Sequence, residues 1–348
     1  MSRASVTPAR LLAIAAVVTG LVAALVLVGG AQAQPYRARV YAPYFETWTR
    51  DHVYREAARS GAHHLTLAFI QVPHRGSCRP TWNGDRNRPT SAGGYRTGIA
   101  ALRRAGGSTI PSFGGYSADH ALTEIADSCT DVAKLAAAYE SVVRTYGFTR
   151  LDMDVEDRSL GHLKGIDRRN LAMRMVERWA QRSGRRLRLS YTLPVEPGGL
   201  ESDALHVLRN AIRNGTRVDV VNIMAFDYYD GTTDMLSAAE GAATAVHRQL
   251  RALYPGRSSA RVWAMLGITL MPGIDDYPQK TEVTSLADAS ALRRFAGQKG
   301  IGTLSIWAIQ RDNGGCPGVL GSDSCSGLAQ GDWAFSHILE PFTRRGRA

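Results

Sequence analysis

Leu151-Asp152-Met153-Asp154-Val155-Glu156 sits between two stretches of helical periodicity, Asp131 to Tyr146 and Asp167 to Arg182. Its alternation of apolar and acidic residues is that of a β-strand, whose successive side chains point to opposite faces. Asp152, Asp154 and Glu156 then share one face, and Leu151, Met153 and Val155 the other. Same-face neighbours on a strand lie roughly 7 Å apart, and two charges at that distance repel by about 2.4 kcal/mol at an effective dielectric of 20. That exceeds one pKa unit per adjacent pair. Leaving one carboxyl protonated near neutral pH relieves the repulsion, and a protonated carboxyl is what a general acid requires. A solvent-facing charged strand and a divalent-metal site are the alternatives for these six residues, and the flanking sequence decides between them.

Working outward, the helix–strand–helix alternation continues in both directions. Asp131 to Tyr146 carries Val132, Leu135, Ala136, Tyr139, Val142 and Val143 at helical spacing, with Gly147 as its stop. Strands are predicted over 40–44, 64–71, 108–113, 151–156, 186–193, 217–226, 261–269 and 302–309. Helices are predicted over 51–60, 97–105, 131–146, 167–182, 202–214, 235–253, 286–298 and 332–342. Eight strand–helix pairs argue for a parallel α/β fold closed into a (β/α)8 TIM barrel. A doubly wound open sheet is the alternative, and no GxGxxG or P-loop follows the first strand to favour it.

Residues 1–33 stand apart from the fold. Arg3 and Arg10 form a basic start, Leu11 to Val28 is apolar and uncharged, and Ala31-Gln32-Ala33 has the small-x-small pattern of a signal-peptide cleavage site. The apolar run also reaches the length that spans a bilayer, so an uncleaved anchor is the alternative. Either way the catalytic domain, residues 34–348, is expected outside the cytoplasm. Removing the leader takes two of the 42 basic residues and none of the 31 acidic ones, leaving a net charge of +9. The arginines are scattered, as over Arg182 to Arg188, rather than gathered into a tract, so no nucleic-acid partner is expected. Four cysteines, Cys78, Cys129, Cys316 and Cys325, suit two disulfides in an oxidising compartment, with three connectivities open. Pairing Cys316 with Cys325 closes a Gly-rich loop, and pairing Cys78 with Cys129 ties two others. Their spacing does not suit zinc, and no metal or cofactor is expected.

In a barrel of this kind the functional groups lie at the C-terminal ends of strands. The unusual residues fall there: Tyr44 and Glu46 after the first strand, Ser112-Phe113-Gly114-Gly115 after the third, Glu156 after the fourth, Met224-Ala225-Phe226-Asp227-Tyr228-Tyr229 after the sixth and Trp307 after the eighth. From Val40 to Phe342 the chain resembles glycoside hydrolase family 18, the chitinase family, and in particular a group of secreted bacterial chitinases. The resemblance rests on Ser112-x-Gly114-Gly115, on Asp152-x-Asp154-x-Glu156, on Val221 to Tyr228 and on Leu304-Ser305-Ile306-Trp307. Tyr41 to Tyr44, Cys78 to Trp82 and Leu193-Pro194 are similar as well.

The resemblance implies cleavage of β-1,4 bonds in chitin or related N-acetylglucosamine polymers, with retention, by attack of the substrate's own 2-acetamido oxygen. It implies Glu156 as general acid and base, Asp154 as the partner of the acetamide, and Asp152 as the group that shares a proton with Asp154. Trp307 is the implied floor under the sugar. Asp227, Tyr228, Met224, Tyr44, Gly114 and Gly115 are the implied substrate-binding residues. An endo-β-N-acetylglucosaminidase or a chitin-binding lectin on the same barrel would share these motifs. The chain is expected to act as a secreted monomer on polysaccharide, touching a membrane only if the leader stays attached. Two departures stand out: Asp157 follows the acid where relatives often carry Gly, and Phe226 occupies a position where many carry Tyr. Trp48 and Trp82 are the expected aromatics for gripping insoluble polymer.

Overall fold

A computed structural model describes residues 39–320 and 323–343. The predicted leader, 1–33, lies outside the described residues. Along the chain, β1 is Val40–Tyr41, β2 Tyr44–Glu46, β3 His64–Gln71, β4 Thr81–Trp82, β5 Ser108–Gly114, β6 Arg150–Asp154, β7 Arg188–Pro194, β8 Val220–Met224, β9 Leu266–Leu270, β10 Gly273–Ile274, β11 Val283–Thr284 and β12 Thr303–Ile306. The main sheet runs β1-β12-β9-β8-β7-β6-β5-β3-β2. Every neighbouring pair on that path is parallel. Pro43, which has no N–H to give a ladder, divides the predicted first strand into β1 and β2. The first half pairs with β12, Val40 opposite Thr303, and the second with β3, Tyr44 opposite Thr66. The sheet curls on itself through these two halves of one strand, giving the eight-stranded (β/α)8 TIM barrel.

The helices cover the outside. Leu151 and Met153 of β6 are fully buried and, with Val155, join Tyr139 and Val142 of the helix Val132–Tyr146 in one apolar core. Burial of this order stabilises by about 1.5–3 kcal/mol per large side chain. Asp131 caps that helix through the N–H groups of Ala133 and Lys134, and Gly147 ends it in the left-handed conformation. The opposite, inward face of the strands is polar. Ser112, Asp152, Ser190, Asn222, Thr269 and Ser305 are all buried there, and the same-level register Ser112–Asp152–Ser190 across β5, β6 and β7 brings hydroxyls to the carboxylate.

Local differences from the sequence reading have local causes. The predicted strand 261–269 opens instead as a short helix, Ser259–Trp263, because Ser258 caps it through the N–H of Arg261; β9 begins only at Leu266. The hairpin of β10 and β11 has two-residue strands, too short for any periodicity to reveal. Cys78 pairs with Cys129 and Cys316 with Cys325.

Candidate active site

The acidic strand delivers its carboxyls to the C-terminal mouth of the barrel. Asp152 is the deepest. Its Oδ2 accepts from Ser112 Oγ at 2.7 Å and Tyr44 OH at 3.1 Å, and its Oδ1 from Ser190 Oγ at 2.6 Å and Thr192 Oγ1 at 2.9 Å. Four hydroxyl donors fill the acceptor sites of a carboxylate and oppose the rise that burial imposes on the Asp152 pKa. Asp154, 3% exposed, is held well above the usual carboxylate range by burial, then by Glu156 and Asp152. That shift favours the protonated carboxyl, the form that can donate a hydrogen bond to Glu156. Glu156 lies just past β6 with extended backbone, φ −136° and ψ 175°, which preserves the alternation. Burial pushes its pKa up to about 7, against the opposing pull of the hydrogen bonds from Asp154 and from the Tyr116 backbone N–H.

The two glycines of the third strand end are backbone requirements. Gly114 has φ 114° and a Cβ there would stand 1.9 Å from the carbonyl oxygen of Asp154; Gly115 has φ 87° and a Cβ would enter the Phe69 ring at 2.5 Å. They let β5 lie against the acidic strand and turn at once into the helix Tyr116–Ala121. Tyr44 is nearly buried, and its hydroxyl meets Asp152 and Thr192. Met224 ends β8 at 8% exposure. Across the mouth Trp307 stacks on Phe69 with centroids 5.4 Å apart, meets Tyr44 edge-on at 5.5 Å and lies 6.1 Å from Trp48. This aromatic platform shares the mouth of the barrel with Glu156, whose pKa burial pushes up to about 7.

The motif order and this geometry have counterparts in known proteins. The description of glycosyl hydrolases family 18 matches residues 40–269. The chain belongs to that family. A probable bifunctional chitinase/lysozyme of Escherichia coli (strain K12) is 32% identical over 330 residues, 91% of this chain and 36% of that protein. Endochitinase 11 of Metarhizium anisopliae is 32% identical over 294 residues, 81% of this chain and 54% of that one. The chain thus spans about a third and about half of the lengths of these curated relatives. Active domain 2 of the chitinase from Pyrococcus furiosus, solved as catalytic-site mutants, superposes with a TM-score of 0.77 at 31% identity, covering 88% of this chain and 96% of that one.

This family 18 member carries a second carboxyl tier that sequence reasoning missed. Asp119, fully buried on the short helix after Gly115, accepts the backbone N–H of Glu156 at 2.6 Å through Oδ2. Burial, then Glu124 and Glu156, hold Asp119 well above the carboxylate range, while Arg169 pulls the other way. Behind it Arg169, 1% exposed, lies 2.8 Å from Glu124 and 3.9 Å from Asp127, and His162 Nδ1 lies 2.8 Å from Asp127. The Gly114-Gly115 pair was the available signal, since it turns the chain back toward the end of β6.

The loop after β8 brings Asp227, Tyr228 and Tyr229 to the same rim. Asp227 and Tyr229 have φ of 51° and 56°, and the turn is held from beneath by Glu282. That buried carboxyl accepts the N–H groups of Tyr228 at 2.9 Å and of Asp230 and Gly231 at 3.1 Å each. Asp227 accepts from the Asp276 N–H, and burial followed by the Asp276 charge pushes it up to about 8. Tyr228 is 5% exposed, whereas Tyr229 is 58% exposed. Trp82 is corrected here as an expected polymer contact: it is 1% exposed and donates through Nε1 to Tyr146 OH at 2.9 Å. Trp48 remains at the mouth, stacked on Phe69.

Proposed function

We propose that the chain is a secreted chitinase that hydrolyses β-1,4 bonds between N-acetylglucosamine units with retention and with the substrate's acetamide as nucleophile. The observation that carries this reading is that neither strand carboxyl beside the acid, among the described residues, is available as a nucleophile. A conventional retaining glycosidase needs one about 5–5.5 Å from it. Asp152 is 2% exposed with both oxygens occupied by hydroxyls, and Asp154 is committed to Glu156.

Glu156, with its pKa near 7, gives its proton to the glycosidic oxygen as the bond to the anomeric carbon breaks. The acetamido oxygen forms the new bond to that carbon, yielding an oxazolinium ion. Asp154 turns to the acetamide N–H, and its proton passes to Asp152 as the Tyr44 hydroxyl swings from Asp152 to Thr192 and frees an acceptor site. Asp154 is then the anion that stabilises the oxazolinium, and it regains the proton when the acetamide is regenerated. Water then attacks the anomeric carbon, Glu156 takes its proton, and the acetamide is regenerated. Trp307 supplies the apolar floor for the ring. Relatives named chitinase and endochitinase support the substrate class. The leader and the two disulfides support export.

Product analysis on chitohexaose tests the reading. Glu156→Gln is expected to lose turnover by at least a thousandfold while still binding the oligosaccharide. A fully deacetylated hexamer is expected to resist the wild-type protein, and its efficient hydrolysis would overturn substrate assistance. N-terminal sequencing of the exported protein is expected to begin after Ala33.

A further inference from the structure

A cavity of about 460 Å³ lies outside the barrel mouth, between the segment following β2 and the segment following β12. Its volume is in the range of small-molecule sites, roughly 300–1,000 Å³. In a chain with net charge +11, six carboxylates line it, Glu46, Asp51, Glu56, Asp312, Asp323 and Asp332, against a single arginine, Arg59. Two of the six have structural duties. Asp312 accepts the N–H groups of Phe335 and Ser336 and a side-chain amide N–H from Gln330, and Glu56 accepts a hydrogen bond from the Trp333 side chain. Arg59 stacks on Trp333 at 5.7 Å and, among the described residues, makes no ion pair with any of the six.

The residue that points to a ligand is Glu46. It is 1% exposed, lines the cavity, and its Oε1 has no hydrogen-bond partner among the described residues. A buried acceptor left unpaired is costly and calls for a donor. Among the described residues no group of three His, Cys, Asp or Glu side chains is arranged to hold a metal ion, so the donor that fits is an N–H rich cation rather than a divalent metal. Trp48 and Trp333 offer apolar faces beside these carboxylates. Trp48 also lies 6.1 Å from Trp307, which joins the cavity to the platform at the mouth.

We propose that this cavity is a subsite for a glucosaminium ring of partly deacetylated chitin, its ammonium received by Glu46 and Asp323 and its ring by Trp48. The assignment rests on the chitinase reading for the rest of the chain. An acetylated ring presents one amide N–H and no charge there, whereas a glucosaminium presents three N–H donors and a full positive charge. Glu46 supports this: burial, then Asp323, push its pKa up to about 9, so an arriving ammonium replaces a proton.

The test combines product sequencing with direct binding. Partly deacetylated chitohexaoses are digested at mildly acidic pH, and the products are sequenced by mass spectrometry. The wild-type protein is expected to enrich glucosamine about tenfold over input, a 1.4 kcal/mol preference, at one fixed distance from the cut bond. Glu46→Gln and the exposed variant Asp323→Asn are expected to bring that ratio close to input. If fully acetylated hexamer is cut while glucosamine is placed at random away from the cut, the subsite is refuted and the chitinase reading stands. Calorimetric titration with fully deacetylated hexamer needs no turnover. It is expected to give about tenfold weaker binding for Asp323→Asn and further weakening with salt, and equal affinities would refute the subsite even if the chitinase reading failed.

Discussion

Replacing Asp157 with Asn isolates one charge acting on Glu156. Asp157 has φ 40°, a left-handed conformation that Asn tolerates, and its carboxylate lies 2.7 Å from His120 Nδ1, a contact an amide oxygen can keep. The backbone and the ring therefore stay, and only the negative charge goes. That charge raises the pKa of Glu156. For carboxyls about 7 Å apart the interaction runs from ~2.4 kcal/mol at a dielectric of 20 to ~0.6 in water. Asp157 is 32% exposed and partnered by an imidazole, which selects the lower half of that range, about 1 kcal/mol or ~0.7 pKa unit. The acid must be protonated to act, so kcat/KM falls as pH rises through its pKa. The wild-type alkaline limb is expected near pH 7, and removing a neighbouring anion moves it down by ~0.7 unit. The variant should match wild type well below both limbs and fall about fivefold behind well above them. A pH profile of kcat/KM on a chromogenic chitobioside reads this directly. A limb that stays in place, or moves up, would refute the assignment of Glu156 as the titrating acid tuned by its neighbour.

Three further outcomes are expected. Asp119→Asn keeps an acceptor for the Glu156 N–H and replaces a carboxyl that burial holds well above the usual range, so stability and the pH profile should hold. Asp119→Leu orphans that amide and should cost about 1–3 kcal/mol by urea unfolding, and equal stabilities would contradict this role. Cys78→Ser opens a loop of 51 residues and should cost about 4 kcal/mol in the chain-entropy view, against no effect if the loop were already pinned by packing. Tyr229→Phe should lower kcat/KM on acetylated substrate by up to about tenfold. Tyr44 is engaged by Asp152 and Thr192, and Tyr228 is nearly buried. Tyr229, exposed on the rim, and Tyr228, whose buried hydroxyl has no partner among the described residues, are thus the tyrosines left to supply the hydroxyl that Phe226 lacks, and an unchanged rate in Tyr229→Phe would assign that place to Tyr228.

What was legible in the sequence was local. The alternation of Asp152, Asp154 and Glu156 needs only the period of a strand, and Met235–Leu253 was bounded correctly by helical periodicity alone. Asp119 was not legible because it meets Glu156 across 37 positions of chain, through the Gly114-Gly115 turn. Glu282 was missed for the same reason: its partners are backbone N–H groups 51 to 54 residues away, and side-chain patterns do not reveal backbone donors. Trp82 misled in the other direction. A tryptophan in a Gly- and Arg-rich loop reads as exposed, yet Tyr95 and Tyr146 pack edge-on against it and bury it.

The placement of the buried guanidiniums explains how a basic protein keeps a protonated acid at its mouth. A cation in contact with Glu156 would stabilise its anion and draw its pKa below the working range. Neither Asp154 nor Glu156 has an arginine among the main influences on it; their neighbours are carboxyls, a backbone N–H and burial itself. The counter-charges sit one tier back. Arg169 balances Glu124 and Asp127 behind Asp119. Arg311, 1% exposed, donates to the Pro272 carbonyl and lies 3.7 Å from Asp276, behind Asp227. Removing a buried cation from such a tier would strand carboxylates in low dielectric, so each arginine supports its outer tier without discharging it. The raised pKa values of Asp154 and Glu156, which the proposed chemistry uses, persist because the positive charge is close enough to hold the scaffold and too far to lower them.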